Sequence, residues 1–449
     1  MNRAALVLGV LAAAACKQSP GTLPPAGQLL VYFDTDAILP AGTARSYGPL
    51  DAYPLFDHVR FDVLVDGTAC DQCTRDFDVD AATINEGLLS FAVLPSAEGK
   101  SAVLRARLFR YSDIDGTEPR PQGTIDAYFA VDGIAAEGVA ERTIFLRTQD
   151  VGTVQGSLAA PLAMAAGRPS ALHAGTWPLA ARVDCRAPPR PGEVCIPGGA
   201  FWMGSPLEAR NSDQSGSQRL VVLSPYYLAA NEVTVADFRK SGLPATPWTG
   251  TSGVDVNDAC RFTAAAGVFE DFPVNCVEGP VARRYCASLG ADLPTEAQYE
   301  YAAGALRSAP YVWGSDPPTC DGVVMCQKSD ISKIQGDDAC KQLGAIGGPL
   351  AVGSGKLDRL DLPTGTVVDL IGNVSEFARD QWNRFVEPCW SRPGLYVDPV
   401  CTTPGTLDPA PAFSVRGGEW ELAPNRASGR FFRSGGSPLS GFRCARAAN

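Results

Sequence analysis

Histidine is almost missing from this chain. Its 449 residues include two, His58 and His173, and none follows residue 173. The long C-terminal part therefore cannot build a Ser-His-Asp triad or a histidine-ligated zinc or iron centre. Charge is also scarce. Charged residues make up 19% of the sequence and the formal net charge is −11. A chain of that sign does not bind nucleic acid by neutralising phosphates. No apolar run is long enough to cross a bilayer, and the one at residues 4–15 is too short. The 36 prolines and 46 glycines predict turns and ordered loops in place of long helices.

The N-terminus reads as a targeting segment. Arg3 supplies the positive charge, residues 4–15 the apolar run, and small residues lead directly into Cys16. This resembles a bacterial lipoprotein signal, in which Cys16 is lipidated and becomes the first mature residue. The alternative is an ordinary signal peptide cleaved near Ala15. Either way the protein is expected in the cell envelope. Lys17, in place of an aspartate, points to the outer membrane, with the lipid anchor as the membrane contact. Residues 1–15 are the expected signal and 16–27 a Pro/Gly-containing tether.

Residues 28–184 carry short runs such as LLVYFD, VRFDVLVDG and AVLRARLFRY, with β-branched or aromatic residues at period two. They predict an all-β, antiparallel sandwich. Asp34, Asp36, Asp113 and Asp115 are either calcium-loop residues or turn formers. Residues 185–194 (CRAPPRPGEV) form a Pro-rich linker. From residue 195 to the end, the pattern is an α+β one with long loops. Thr234 and Gly242 bracket one helix, Gly290 closes a second, and Thr295 with Gln298 forms a capping box for a third.

Of the 14 cysteines, those other than Cys16 read, in an exported chain, as a disulfide framework. Local candidates are Cys70–Cys73, Cys185–Cys195, Cys260–Cys276 and Cys389–Cys401.

Six blocks after residue 195 occur together: IPGGAFWMGS, NEVTV, LPTEAQYEY, DLIGNVSEF, VRGGEW and GFRCAR. In that order they resemble the formylglycine-generating enzyme (sulfatase-modifying factor) family. The resemblance implies a C-type-lectin-like fold for residues 195–449 and a disulfide between Cys286 and Cys444. Cys320, Cys326 and Cys340 then remain, an odd number. They leave one thiol without a local partner, or form a zinc or copper site.

Enzymes of the family oxidise a substrate cysteine at a copper(I) ion held by two thiolates. The chemistry needs soft, deprotonated sulfur. Counted from VRGGEW, the two positions fall near Leu422 and Ala427, and no cysteine lies between Gly418 and Cys444. A second family disulfide falls on Ala303 and Phe432 and is likewise missing. The expected catalytic residues are therefore none, and copper is not expected. The resemblance also implies calcium, bound by Asp369, the carbonyls of Gly372 and Val374, and Glu376; the alternative is that Asp369 and Glu376 hold the loop by hydrogen bonds. Arg416, Trp420, Arg426, Arg430 and Arg433 either line a groove for an acidic or peptide ligand or stack within the core. The expected function is a non-catalytic binding or scaffolding lipoprotein of the cell envelope with an unknown protein or peptide ligand. The competing reading is a formylglycine-generating oxidoreductase.

Overall fold

The computed structural model describes residues 27–448, apart from 43–46, 95–101, 133, 135–136, 206–217, 246–259, 264, 327–347, 408–411 and 422–424. Cys16, Cys340 and Leu422 lie outside the described residues.

Two sheets face each other in the N-terminal part. One orders the strands Ala165–Ala166, Val139–Leu146, Gln28–Thr35 and Ser90–Val93. The other orders Val154–Gln155, Ile125–Val131, Ala102–Phe109, His58–Val65 and Thr68–Asp78. The period-two residues fill the space between them: Leu29, Val31 and Phe33 from one sheet, Val59, Phe61, Leu104 and Leu108 from the other. The sandwich is not wholly antiparallel. Gln28–Thr35 pairs parallel with Val139–Leu146 over its full length. That pairing joins distant segments, so no turn signal announces it. Of the acidic turn residues, Asp34 and Asp36 have hydrogen-bond partners within the protein. Asp34 meets the His173 ring at 2.5 Å, and Asp36 accepts hydrogen bonds from the Thr148 amide and hydroxyl.

The C-terminal part begins with the strands Glu193–Ile196 and Gly199–Met203. The latter pairs antiparallel with Arg219–Leu223. Both strands of this pair are buried on both faces, which is why their sequences read as continuous apolar runs. Ala200, Trp202, Leu220 and Val222 point into the sandwich core. Phe201, Met203, Val221 and Leu223 point the other way, into the C-terminal core with Tyr299, Tyr301 and Trp390. The indole N–H of Trp202 donates to the Leu55 carbonyl at 2.7 Å, and its ring meets Phe56 edge-on. Apolar packing thus runs unbroken past the proline-rich segment, whose ends are joined by the Cys185–Cys195 disulfide.

Helices are short. Val235–Lys240 is capped by Thr234, whose hydroxyl accepts the Asp237 amide, and Gly242 follows at φ 67°. Gly279–Ser288 is followed by Gly290 at φ 68°. Glu296–Ala303 starts in the full capping box of Thr295 and Gln298. A four-stranded sheet, Arg430–Arg433, Phe413–Arg416, Ser375–Gln381 and Ser440–Gly441, closes the domain. Loops dominate the rest and are cross-linked. Cys286 on the helix Gly279–Ser288 is bonded to Cys444, with their Cα atoms 5.4 Å apart. Cys260–Cys276 and Cys389–Cys401 are also bonded. Cys73 and Cys320 are disulfide-bonded, and Cys326 is buried.

Candidate functional site

The DLIGNVSEF loop is shaped by two non-glycine residues in the left-handed region, Asp369 at φ 56° and Asn373 at φ 66°. Such positions cost free energy unless their surroundings hold them. Asn373 is held by its own amide group, which donates to Glu232 at 2.8 Å and accepts from the Leu350 amide at 3.0 Å. Asp369 accepts the Gly353 amide at 2.5 Å. Glu376 is fully buried and meets the equally buried Arg443, with contacts of 2.7 to 2.9 Å. It also accepts the Tyr299 hydroxyl at 3.1 Å. Arg443 reaches on to the carbonyls of Val368 and Asp369, both at 2.9 Å.

Three buried carboxylates, Glu232, Asp369 and Glu376, therefore feel the charge of Arg443, and a fourth, Asp358, neighbours Asp369. Burial pushes Glu232 well above the usual carboxylate range, and the Asp369 and Glu376 charges add to it. Burial, with Asp369 adding, pushes Asp358 up to about 7, and burial brings Asp369 to about 6. Burial also raises Glu376 against the pull of Arg443. Asp358 accepts the Ile371 and Gly372 amides through one oxygen, while its other oxygen has no hydrogen-bond partner. An excess of buried negative charge with an orphaned oxygen suits a hard cation. Side chains alone do not form a cage: among the described residues no three His, Cys, Asp or Glu side chains converge on one point. A cation here would lean on backbone carbonyls, as those of Gly372 and Val374 would provide.

The arginines of the tail separate into two kinds. Arg430 is buried and grips Glu296 at 2.5 and 2.7 Å, with its guanidinium 4.1 Å from the centre of the Phe385 ring. Arg416 is buried beside Glu300 and lies 3.5 Å from Glu296. Burial alone would raise Glu296, but Arg430 and Arg416 hold its carboxyl below the ordinary value. Arg433 pairs with Glu419 at 3.1 Å, and the buried Trp420 donates to the Pro438 carbonyl. These four residues are core and loop fasteners. Arg426 is different: it is half-buried and faces a cavity.

That cavity holds about 570 Å³ and lies where the sandwich meets the C-terminal domain. Tyr47, Tyr53 and Arg110 of the sandwich form one wall; Arg307, Arg426 and Ala427 belong to the other. Ala427 is one of the two positions at which a copper thiolate falls by the family count, and it is buried. Of the second family disulfide positions, Ala303 is buried in the core and Phe432 is 38% exposed against Trp382. Next to the cavity the backbone is strained: Ala305, Leu306 and Ser308 all have φ between 53° and 61°. Arg182 holds this turn through the Leu306 carbonyl at 2.5 Å, and Ser308 accepts the Trp202 amide at 2.8 Å.

Sequence reasoning did not single out Glu232, Asp358, Arg443, Arg110 or Arg307. Glu232 and Arg443 sit inside the NEVTV and GFRCAR blocks, where a buried charge in an apolar setting was the available signal. Asp358, Arg110 and Arg307 lie in no motif.

The family model of the sulfatase-modifying factor enzyme 1-like domain matches residues 180–448. The chain belongs to that family. It is 30% identical over 232 residues to the formylglycine-generating enzyme of Mycobacterium tuberculosis, covering 48% of this chain and 69% of that protein. It is 29% identical over 157 residues to the inactive C-alpha-formylglycine-generating enzyme 2 of Bos taurus, covering 27% of this chain and 52% of that protein. Among solved structures, PvdO from Pseudomonas aeruginosa aligns over 57% of this chain and 94% of its own length, at 22% identity and a TM-score of 0.39.

Proposed function

We propose that this protein is a non-catalytic binding or scaffolding member of the sulfatase-modifying factor family in the cell envelope, exported and lipid-anchored through Cys16. The observation that carries the proposal is the absence of any cysteine between Gly418 and Cys444. The family's oxidation runs at copper(I) held by two thiolates there. At Ala427 this chain presents a methyl group. No histidine or thioether in the tail replaces the sulfur, because the residues between Gly418 and Cys444 include neither. Of the three cysteines of the alternative site, Cys320 is in a disulfide and Cys326 is buried, and Cys340 lies outside the described residues. Similarity to a bovine relative whose name describes it as inactive supports the reading. Similarity to the mycobacterial enzyme favours the competing one, an oxidase making formylglycine in partner proteins.

Copper(I) retention distinguishes the two. Purified protein mixed with copper(I) and a chromogenic chelator should leave the metal on the chelator. Retention of one equivalent by the protein would contradict the proposal. Calcium is part of the proposal as a structural cation. Asp369 and the carbonyls of Gly372 and Val374 would hold it, with Glu376 kept on Arg443 beside it, and it would offset buried negative charge. The anchor is tested by fatty-acid labelling, which should mark wild type and spare Cys16→Ser; equal labelling of both removes it. Partners are then the membrane, through the lipid, and a protein or peptide ligand, with no part for nucleic acid.

A further inference from the structure

The junction cavity has an unusual electrical lining. Arg110, Arg307 and Arg426 all line it, and none has a carboxylate within ion-pair distance among the described residues. Arg110 donates to the neutral Gln218 at 2.9 Å and lies over the Trp202 ring. Burial lowers its guanidinium below the ordinary arginine value, against the pull of Asp57 and Asp113. Arg307 donates to the Tyr47 carbonyl at 2.6 Å. Arg426 has no partner among the described residues. The acidic residue of the lining, Glu300, is already engaged by Arg416 and the Gly204 amide, so it does not neutralise the three. Buried Arg430 and Arg443, by contrast, meet carboxylates directly, while buried Arg219 is held by the Trp390 and Phe385 carbonyls. In a protein of net charge −11, three arginines without an ion pair among the described residues make this lining locally basic.

We infer that the cavity between the sandwich and the C-terminal domain is a binding site for a small ligand carrying an oxyanion group, gripped by Arg110, Arg307 and Arg426. Guanidinium groups match carboxylate, phosphate and sulfate oxygens with paired N–H donors. The volume suits a small molecule or a few linked units, and small-molecule sites favour domain junctions. Tyr47 and Tyr53, whose rings meet edge-on at 5.2 Å, give the wall an apolar face with polar tips. The site takes residues from both domains, so the sandwich is a working wall of it. This inference rests on the binding reading above and names the chemistry of what is bound.

The test is calorimetric titration of the full chain with citrate, pyrophosphate and neutral trehalose at low salt. Citrate probes carboxylates and pyrophosphate probes phosphates. At least one of the two should bind, trehalose should not, and affinity should fall as salt is added. Arg426→Ala should weaken binding at least about tenfold, the loss of one charge-assisted contact. Ser315→Trp, at an exposed lining position, should block the cavity without touching an arginine. Absence of binding by either anion, or binding that both variants leave unchanged, overturns the inference. Failure of the non-catalytic reading would show separately, as peptide turnover, which these titrations do not measure.

Discussion

Asp113 should make the protein less stable as pH rises, and Asp113→Asn should remove that dependence. Its side chain is buried, and neither carboxylate oxygen has a hydrogen-bond partner among the described residues. Its closest cation is Arg120, at 3.6 Å. Burial dominates over the attraction of Arg120, Arg110 and Arg219 and pushes the carboxyl from 3.8 up to about 7. Below about pH 4 both folded and unfolded chains carry the proton, and the group costs nothing. Between pH 4 and 7 the unfolded chain ionises while the folded one holds its proton, so stability falls. Above 7 the full cost is present. A displacement of roughly three units corresponds to at most about 4 kcal/mol. Asparagine has the same shape and no charge, and no hydrogen bond is lost on replacing the carboxylate. Urea unfolding of both proteins, followed by tryptophan fluorescence from pH 4 to pH 8, measures the difference. It should grow in favour of the variant as pH rises, by up to about 4 kcal/mol. A difference that is flat with pH, or that turns against the variant at high pH, refutes the reasoning.

Cys444→Ala should cost about 2–5 kcal/mol, because its bond to Cys286 closes most of the C-terminal domain; urea unfolding checks this, and a free thiol at either position in peptide mapping would contradict it. Trp202→Ala should cost about 3–5 kcal/mol and raise the rate of limited proteolysis near the proline-rich segment, since one side chain fills the sandwich core and bonds Leu55; unchanged proteolysis would show that the two domains do not depend on this contact. Calcium should raise the melting temperature over that in chelator, and Asp369→Ala should abolish the rise; no rise in wild type removes calcium from the proposal.

Local signals in the sequence were the most legible. Thr295 and Gln298 announce their helix by a capping chemistry that needs no tertiary context, and the structure contains both halves of the box. Period-two runs announce the sandwich strands, because one face must be apolar. The family blocks make the C-terminal fold legible down to the turn at Asn373. The parallel pairing of Gln28–Thr35 with Val139–Leu146 was not legible, since it depends on a long crossover and leaves no local mark. The same holds for Trp202. Its place in an apolar run shows that it is buried, but not that it belongs to the other domain's core. The carboxylate cluster escaped for a related reason. Glu232 is far in sequence from Asp358, Asp369 and Glu376, and their excess charge exists only once the loops fold together. The junction cavity is the extreme case. Arg110 and Arg307 are unremarkable in their own segments, and Arg426 was one of four arginines singled out in the tail beside Trp420. Only the packing separates it from Arg416, Arg430 and Arg433, which serve as fasteners.

We propose that this member of the family does not make formylglycine. The direct measurement is to supply purified protein with copper(I), oxygen and a sulfatase-type cysteine peptide, and to follow the peptide by mass spectrometry. Without a thiolate pair between Gly418 and Cys444, the peptide mass should stay equal to that in a no-protein control. Multiple turnovers to the formylglycine product above that control would contradict the account.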